Sequence, residues 1–139
     1  MRRVILLALV LTLLAAVPAL AGGYPDLKGQ WTSTGKAVVH GTLPHHQAVA
    51  SPQFVSGKEF TLRIDQQEEG RFSGERSSAR HKEMILGLID EDGTVSMVDD
   101  DGMFFGTYDK ATGTMKLTCM EAGKASKVVA RGVYTRVKK

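Results

Sequence analysis

The sequence predicts an all-β domain, an eight-stranded antiparallel up-and-down barrel. Three observations predict it. From Gly29 onward the apolar residues recur at every second position, the alternating runs are short, and turn residues paired with glycine separate most of them. Tight turns make successive strands neighbours in space, and closing the sheet on itself removes the two edges that an open sheet would expose.

The first strand runs from Gln30 to Val39 and bends at Gly35. His40 to Gly57, which holds Pro44 and Pro52, reads as a long irregular loop at one mouth of the barrel. Phe60, Leu62 and Ile64 alternate with Thr61, Arg63 and Asp65 to make the second strand. Phe72 to Ser77, Glu83 to Asp90, Thr94 to Asp99, Met103 to Asp109, Thr114 to Met120 and Lys127 to Val137 supply the other six. Glu69-Gly70, Asp92-Gly93, Asp101-Gly102, Thr112-Gly113 and Ala122-Gly123 offer positive φ to the turns. Gly74, Gly87, Gly106 and Gly132 fall inside strands, where a missing side chain permits the coiling that closure of a small barrel needs.

Met84 to Ile89 breaks the alternation by being apolar on both faces. A strand wetted on one side has no reason to look like this. Either the His40 to Gly57 loop covers it or a second subunit does, and a homo-oligomer through Met84 to Ile89 is the expectation.

Ahead of the strands, Arg2 and Arg3 precede the apolar stretch Val4 to Val17, and Ala19-Leu20-Ala21 matches the small-residue rule for leader cleavage. The run is shorter than the roughly 20 residues that span a bilayer, so no stable membrane anchor is expected. Residues 1–21 are read as a signal peptide, 22–28 as an N-terminal extension and 29–139 as one barrel domain, in a periplasmic or secreted protein. Cleavage after Ala21 leaves 118 of 139 residues and, with Arg2 and Arg3 gone, lowers the formal charge from +3 to +1. A nearly neutral domain without a basic block has no electrostatic footprint for nucleic acid. Cys119 is the single cysteine, so no internal disulfide can form, and its place in an alternating apolar run predicts a buried, inert thiol.

The two ends of the domain, Gly29-Gln30-Trp31 and Arg136 within Tyr134-Thr135-Arg136-Val137-Lys138, resemble the calycin superfamily of lipocalins, fatty-acid-binding proteins and avidins. That resemblance implies a structural pair: Trp31 across the barrel floor, with the Arg136 guanidinium over the indole and Arg131 in reserve. The strand number and the runs Phe72-Ser73-Gly74-Glu75, Phe105-Gly106-Thr107-Tyr108-Asp109 and Gly132-Val133-Tyr134 are similar to the avidin and streptavidin branch. Its biotin site does not carry over. Leu117 and Cys119 stand where that branch has pocket tryptophans, and Gly132 stands where it has an acid.

What the chain binds must then be read from its own inward positions. Phe60, Leu62, Ile64, Met97, Phe105, Met115 and Leu117 are the expected interior ligand-binding residues, and the methionines, Met84, Met103 and Met120 among them, suit an adaptable apolar lining. The expected ligand is a small apolar or amphipathic molecule. The alternative is a cell-envelope interaction module, an inhibitor or assembly factor, working through the outer barrel face. His40, His45 and His46 are the candidate metal ligands, but they lack the spacing of a metal motif, and neither a metal nor another cofactor is expected. Asp90-Glu91-Asp92 and Asp99-Asp100-Asp101 flank one strand, lie at opposite ends of the barrel and read as turn-forming acids. No catalytic motif is present; Ser77 and Ser78 stand near His81 without making a triad. The chain is read as non-enzymatic, with a hydrolase assembled from distant strands as the enzymatic alternative.

Overall fold

The computed structural model describes residues 23–42 and 44–138, so the leader and its cleavage point lie outside the described residues. Eight strands follow one another: β1 Gly29–Gly41, β2 Val49–Glu68, β3 Arg71–Ser77, β4 Lys82–Ile89, β5 Thr94–Val98, β6 Met103–Asp109, β7 Thr114–Ala122 and β8 Ser126–Arg136. Each pairs antiparallel with the next and β8 pairs with β1, from Trp31 opposite Arg136 to Gly41 opposite Ser126, so the sheet closes as a barrel. Up-and-down winding puts the β1–β2, β3–β4, β5–β6 and β7–β8 connections at one end, the mouth. The β2–β3, β4–β5 and β6–β7 turns sit at the other, the floor.

The long irregular loop expected from His40 to Gly57 is a correction. Among the described residues of this stretch, 42 and 44–48 leave the sheet, and Val49 to Gly57 extends β2 along β1. The prolines and glycine that suggest a loop mark irregularities in pairing instead. Pro52 stands beside Gln53, which pairs with Val39, where the register shifts before Gly41 meets Val49, so its missing N–H interrupts no ladder bond. Gly57 is the extra residue between Ser56 and Lys58 and holds φ at 74°, a bulge conformation that glycine takes without strain. At the β2–β3 turn the positive φ belongs to Glu69 rather than Gly70. A Cβ at Gly70 would meet the Ile89 carbonyl oxygen, so this glycine serves close approach.

Inward residues form a packed apolar core of Leu27, Trp31, Leu62, Ile64, Phe72, Ile85, Ile89, Val95, Met97, Phe104, Met115, Leu117, Cys119 and Tyr134. Arg136 lies 4.6 Å from the Trp31 ring centroid and donates to the Asp26 carbonyl, while the indole N–H donates to the Leu27 carbonyl at 2.9 Å. The N-terminal extension therefore seals the floor. Leu27 is fully buried, and its N–H is held by Gln67 Oε1 at 2.7 Å.

Outside, the β4 ambiguity is resolved: Ile85 and Ile89 point inward, and Met84, Leu86 and Leu88 are exposed. Leu86 starts a row of cross-strand neighbours that runs through Val98, Met103, Met120, Val129 and Val38 to Phe54. All seven are exposed, Phe54 by 86%.

Candidate functional site

The inward parity of the strands continues past the apolar core to the mouth, but the residues there change character. On β3 it runs Phe72, Gly74, Arg76; on β4, Ile89, Gly87, Ile85, Glu83; on β7, Met115, Leu117, Cys119, Glu121. Just beyond β5, Asp99 continues the series from Val95 and Met97. Four strands thereby deliver one guanidinium and three carboxyl groups to the same end of the interior. Arg76 is 5% exposed and Glu83 3%, so these groups meet each other rather than water.

Arg76 Nη1 donates to Asp99 Oδ2 at 3.1 Å and lies 3.4 Å from Glu83 Oε2. Its guanidinium sits 4.0 Å from the Phe60 ring centroid and 5.0 Å from that of Phe104, two aromatic faces that favour a desolvated cation. Asp99 also caps its turn, accepting from the Gly102 N–H at 2.8 Å. His45 enters from the β1–β2 connection and closes the network: Nδ1 is 2.7 Å from Ser78 Oγ and Nε2 is 2.9 Å from Glu83 Oε2.

Serine, imidazole and acid in that order have the connectivity of a hydrolytic triad, and the Arg76 guanidinium beside the imidazole works against it. Arg76 Nη1, which can only donate, lies 3.2 Å from His45 Nε2. That nitrogen must therefore present a lone pair, which assigns the proton to Nδ1 and directs it to Ser78. A general base would have to become imidazolium with an Nε2–H aimed at the guanidinium. Burial first, then the Arg76 charge, pull the His45 pKa down to about 3, so it stays neutral at any ordinary pH. Burial and the neighbouring Asp99 push Glu83 up to about 8. Burial and the nearby Asp101 and Asp99 charges raise Glu121 to about 7. Cys119 is buried with its thiol pushed up to about 12, an unreactive state.

Between this network and the mouth is a cavity of about 60 Å³. Phe60, Phe104, Leu117, Val128 and Ala130 make its apolar walls; Arg76, Glu121 and Tyr134 are among its polar ones, and Pro44, His45 and His46 bring the β1–β2 connection to its rim. Among the described residues, three buried side-chain polar atoms have no hydrogen-bond partner: Arg76 Nε, Glu83 Oε1 and Glu121 Oε2.

Of the residues expected to line a binding interior, Phe60 and Leu117 border this cavity, and Leu62, Ile64, Met97 and Met115 belong to the packed core beneath it. Phe105 is a correction. It points outward, 45% exposed, and Phe104 takes the interior place at 1%, because the β6 register puts Phe104 opposite the inward Met97 and Cys119. Met84, Met103 and Met120 likewise face outward. The three candidate histidines do not converge: His40 pairs with Lys127 at the end of β1, His46 reaches the cavity rim, and His45 is engaged by Ser78, Glu83 and Arg76. The charged network was the part that the apolar reading missed, although its signal was present as charges on inward parity.

No protein-family model matches this chain, and no curated protein is significantly similar to it.

Proposed function

We propose that this protein is a non-enzymatic, calycin-like barrel of the cell envelope or exterior that binds a small amphipathic molecule in the upper half of its interior. One observation carries the reading: the residues of Arg76 Nε and Glu121 Oε2, buried and unpartnered, belong to the walls of a mostly apolar cavity. Unsatisfied buried polar atoms are costly, at about 1–3 kcal/mol each, and a guest with a hydrogen-bonding head group relieves them. The closed barrel and the Trp31–Arg136 floor support the superfamily resemblance. The packed lower core argues for a small guest. At about 60 Å³ the cavity holds a few waters or a short head group, and a longer body must lift the segment that carries His45.

1-Hexanol, hexylamine and hexanoate serve as probes. At least one should raise the Tm saturably, and Ala130→Trp, which fills the cavity, should abolish the shift. Three flat titrations would remove the reading. The hydrolase alternative is checked with p-nitrophenyl acetate, for which Ser78→Ala should leave the slow background rate unchanged.

The exposed row from Leu86 to Phe54 favours a second reading, an interaction module that uses the outer face. Because Leu86 points outward and Ile85 inward, Leu86→Asp is the informative change. It should alter monomer stability by no more than about 0.5 kcal/mol and, on this reading, lower the oligomer mass in sedimentation or light scattering.

A further inference from the structure

The mouth carries a second arrangement that the cavity does not use. His81, on the β3–β4 turn, Glu83, at the start of β4, and Asp100, on the β5–β6 turn, each offer a ligand atom, and these atoms lie within 4.8 Å of one another. A second set, Glu83 with Asp99 and Asp101, shares the same glutamate under the same limit. Glu83 faces two ways. Its Oε2 is occupied by His45 and Arg76 on the interior side. Its Oε1, on a residue 3% exposed, has no hydrogen-bond partner and sits 3.5 Å from His81 Nε2.

We propose that His81, Glu83 and Asp100 form a binding site for a divalent transition cation of the zinc class. The donor set supports that class: one imidazole with two carboxylates suits a borderline ion, and three protein ligands leave positions for water. The charge balance supports it too. Glu83, Asp99, Asp100 and Asp101 bring four carboxyl groups to one rim, and Arg76 pairs with Asp99 and with Glu83 Oε2. The other groups facing the glutamate are His45 from the β1–β2 connection and Asp101 from the β5–β6 turn. Both ligands besides Glu83 are exposed, so the ion can enter from solvent without disturbing the cavity.

Isothermal titration of tag-free protein with ZnCl2 at pH 7.5 tests the site, with CaCl2 as the hard-cation control. The expected result is saturable 1:1 zinc binding, weakened at least tenfold by His81→Ala and by Asp100→Asn, with calcium much weaker. Both residues are exposed, so these variants should keep the wild-type circular dichroism spectrum. His40→Ala/His46→Ala should bind as the wild type does, which separates this site from adventitious imidazoles. Absence of saturable zinc binding below about 100 μM, or equal binding by the His81 and Asp100 variants, overturns the proposal. Calcium binding as tightly as zinc overturns the assignment of class. None of these outcomes depends on hexanol, hexylamine or hexanoate entering the cavity.

Discussion

The floor and the mouth of this barrel are built from the same alternating strands and solve opposite problems. At the floor, Trp31, Leu62, Ile64, Ile85 and Met115 fill the interior with apolar volume, and a cation, Arg136, lies over the indole near solvent. At the mouth, Arg76, Glu83, Asp99 and Glu121 occupy equivalent inward positions, with a neutral His45 dropped onto them from a connection. The floor gains by removing hydrocarbon from water. The mouth must instead satisfy desolvated polar groups, a balance that breaks even only when every partner is present. Three atoms there lack partners, so the mouth is the half with unused binding capacity.

The contrast can be broken most strongly at the floor. Trp31→Ala should destabilise the protein by about 3–5 kcal/mol, since a fully buried ring leaves a cavity that the closed sheet cannot collapse into; urea denaturation measures it, and the deficit should be the same at pH 5 and pH 8. Arg76→Ala should also be severe at neutral pH, about 3 kcal/mol, because Asp99 then remains buried without its cation. Asp99→Asn in the same background should shrink that deficit, because no buried charge is then left unpaired. A deficit from Arg76→Ala that Asp99→Asn does not reduce would mean that the guanidinium acts only as packing between Phe60 and Phe104.

A smaller effect distinguishes the halves without disturbing the guanidinium. Glu83 and Glu121 hold protons in the folded state at pH values where the unfolded chain has released them. Stability contributed this way is lost as pH rises toward the folded pKa values. His45 works in the opposite sense, since its folded pKa of about 3 lies below the ordinary histidine value of 6.5, but that contribution is complete by about pH 6.5. Between pH 6.5 and 8 only the acids act, and the wild type should lose about 1–2 kcal/mol. Glu121→Gln should flatten the profile, as thermal melts across that range would show. Smallest of all, Arg136→Ala should cost about 0.5–1 kcal/mol, the range for an exposed cation over an aromatic face, and should leave the pH profile unchanged.

Much of the mouth was open to a reader of the strands who kept counting by twos. Arg76 follows Phe72 and Gly74, Glu83 precedes Ile85, Asp99 follows Met97, and Glu121 follows Leu117 and Cys119. A charge on inward parity is a buried charge, and up-and-down winding sends all four to one end. Phe105 shows where counting fails: Phe104 and Phe105 are both large and apolar, and only the pairing of β6 with β5 and β7 selects the one that enters the core. The β1–β2 connection was illegible for another reason. Pro52 and Gly57 carry the same local signals in a bulged strand as in a loop, and the long-range register with β1 separates the two cases.

The amino-acid order alone determined that the strands would be eight, antiparallel and consecutive, because side-chain alternation and turn chemistry act over a few residues; that Trp31 and Arg136 would meet is what the resemblance of the two chain ends to the calycin superfamily implied. Only the tertiary structure decided that His45 would land between Ser78, Glu83 and Arg76, that His81 and Asp100 would share a glutamate, and which atoms would be left without partners. Those contacts join residues from separate connections, and their distances depend on how the barrel coils as it closes, a property of the whole sheet that no stretch of sequence carries.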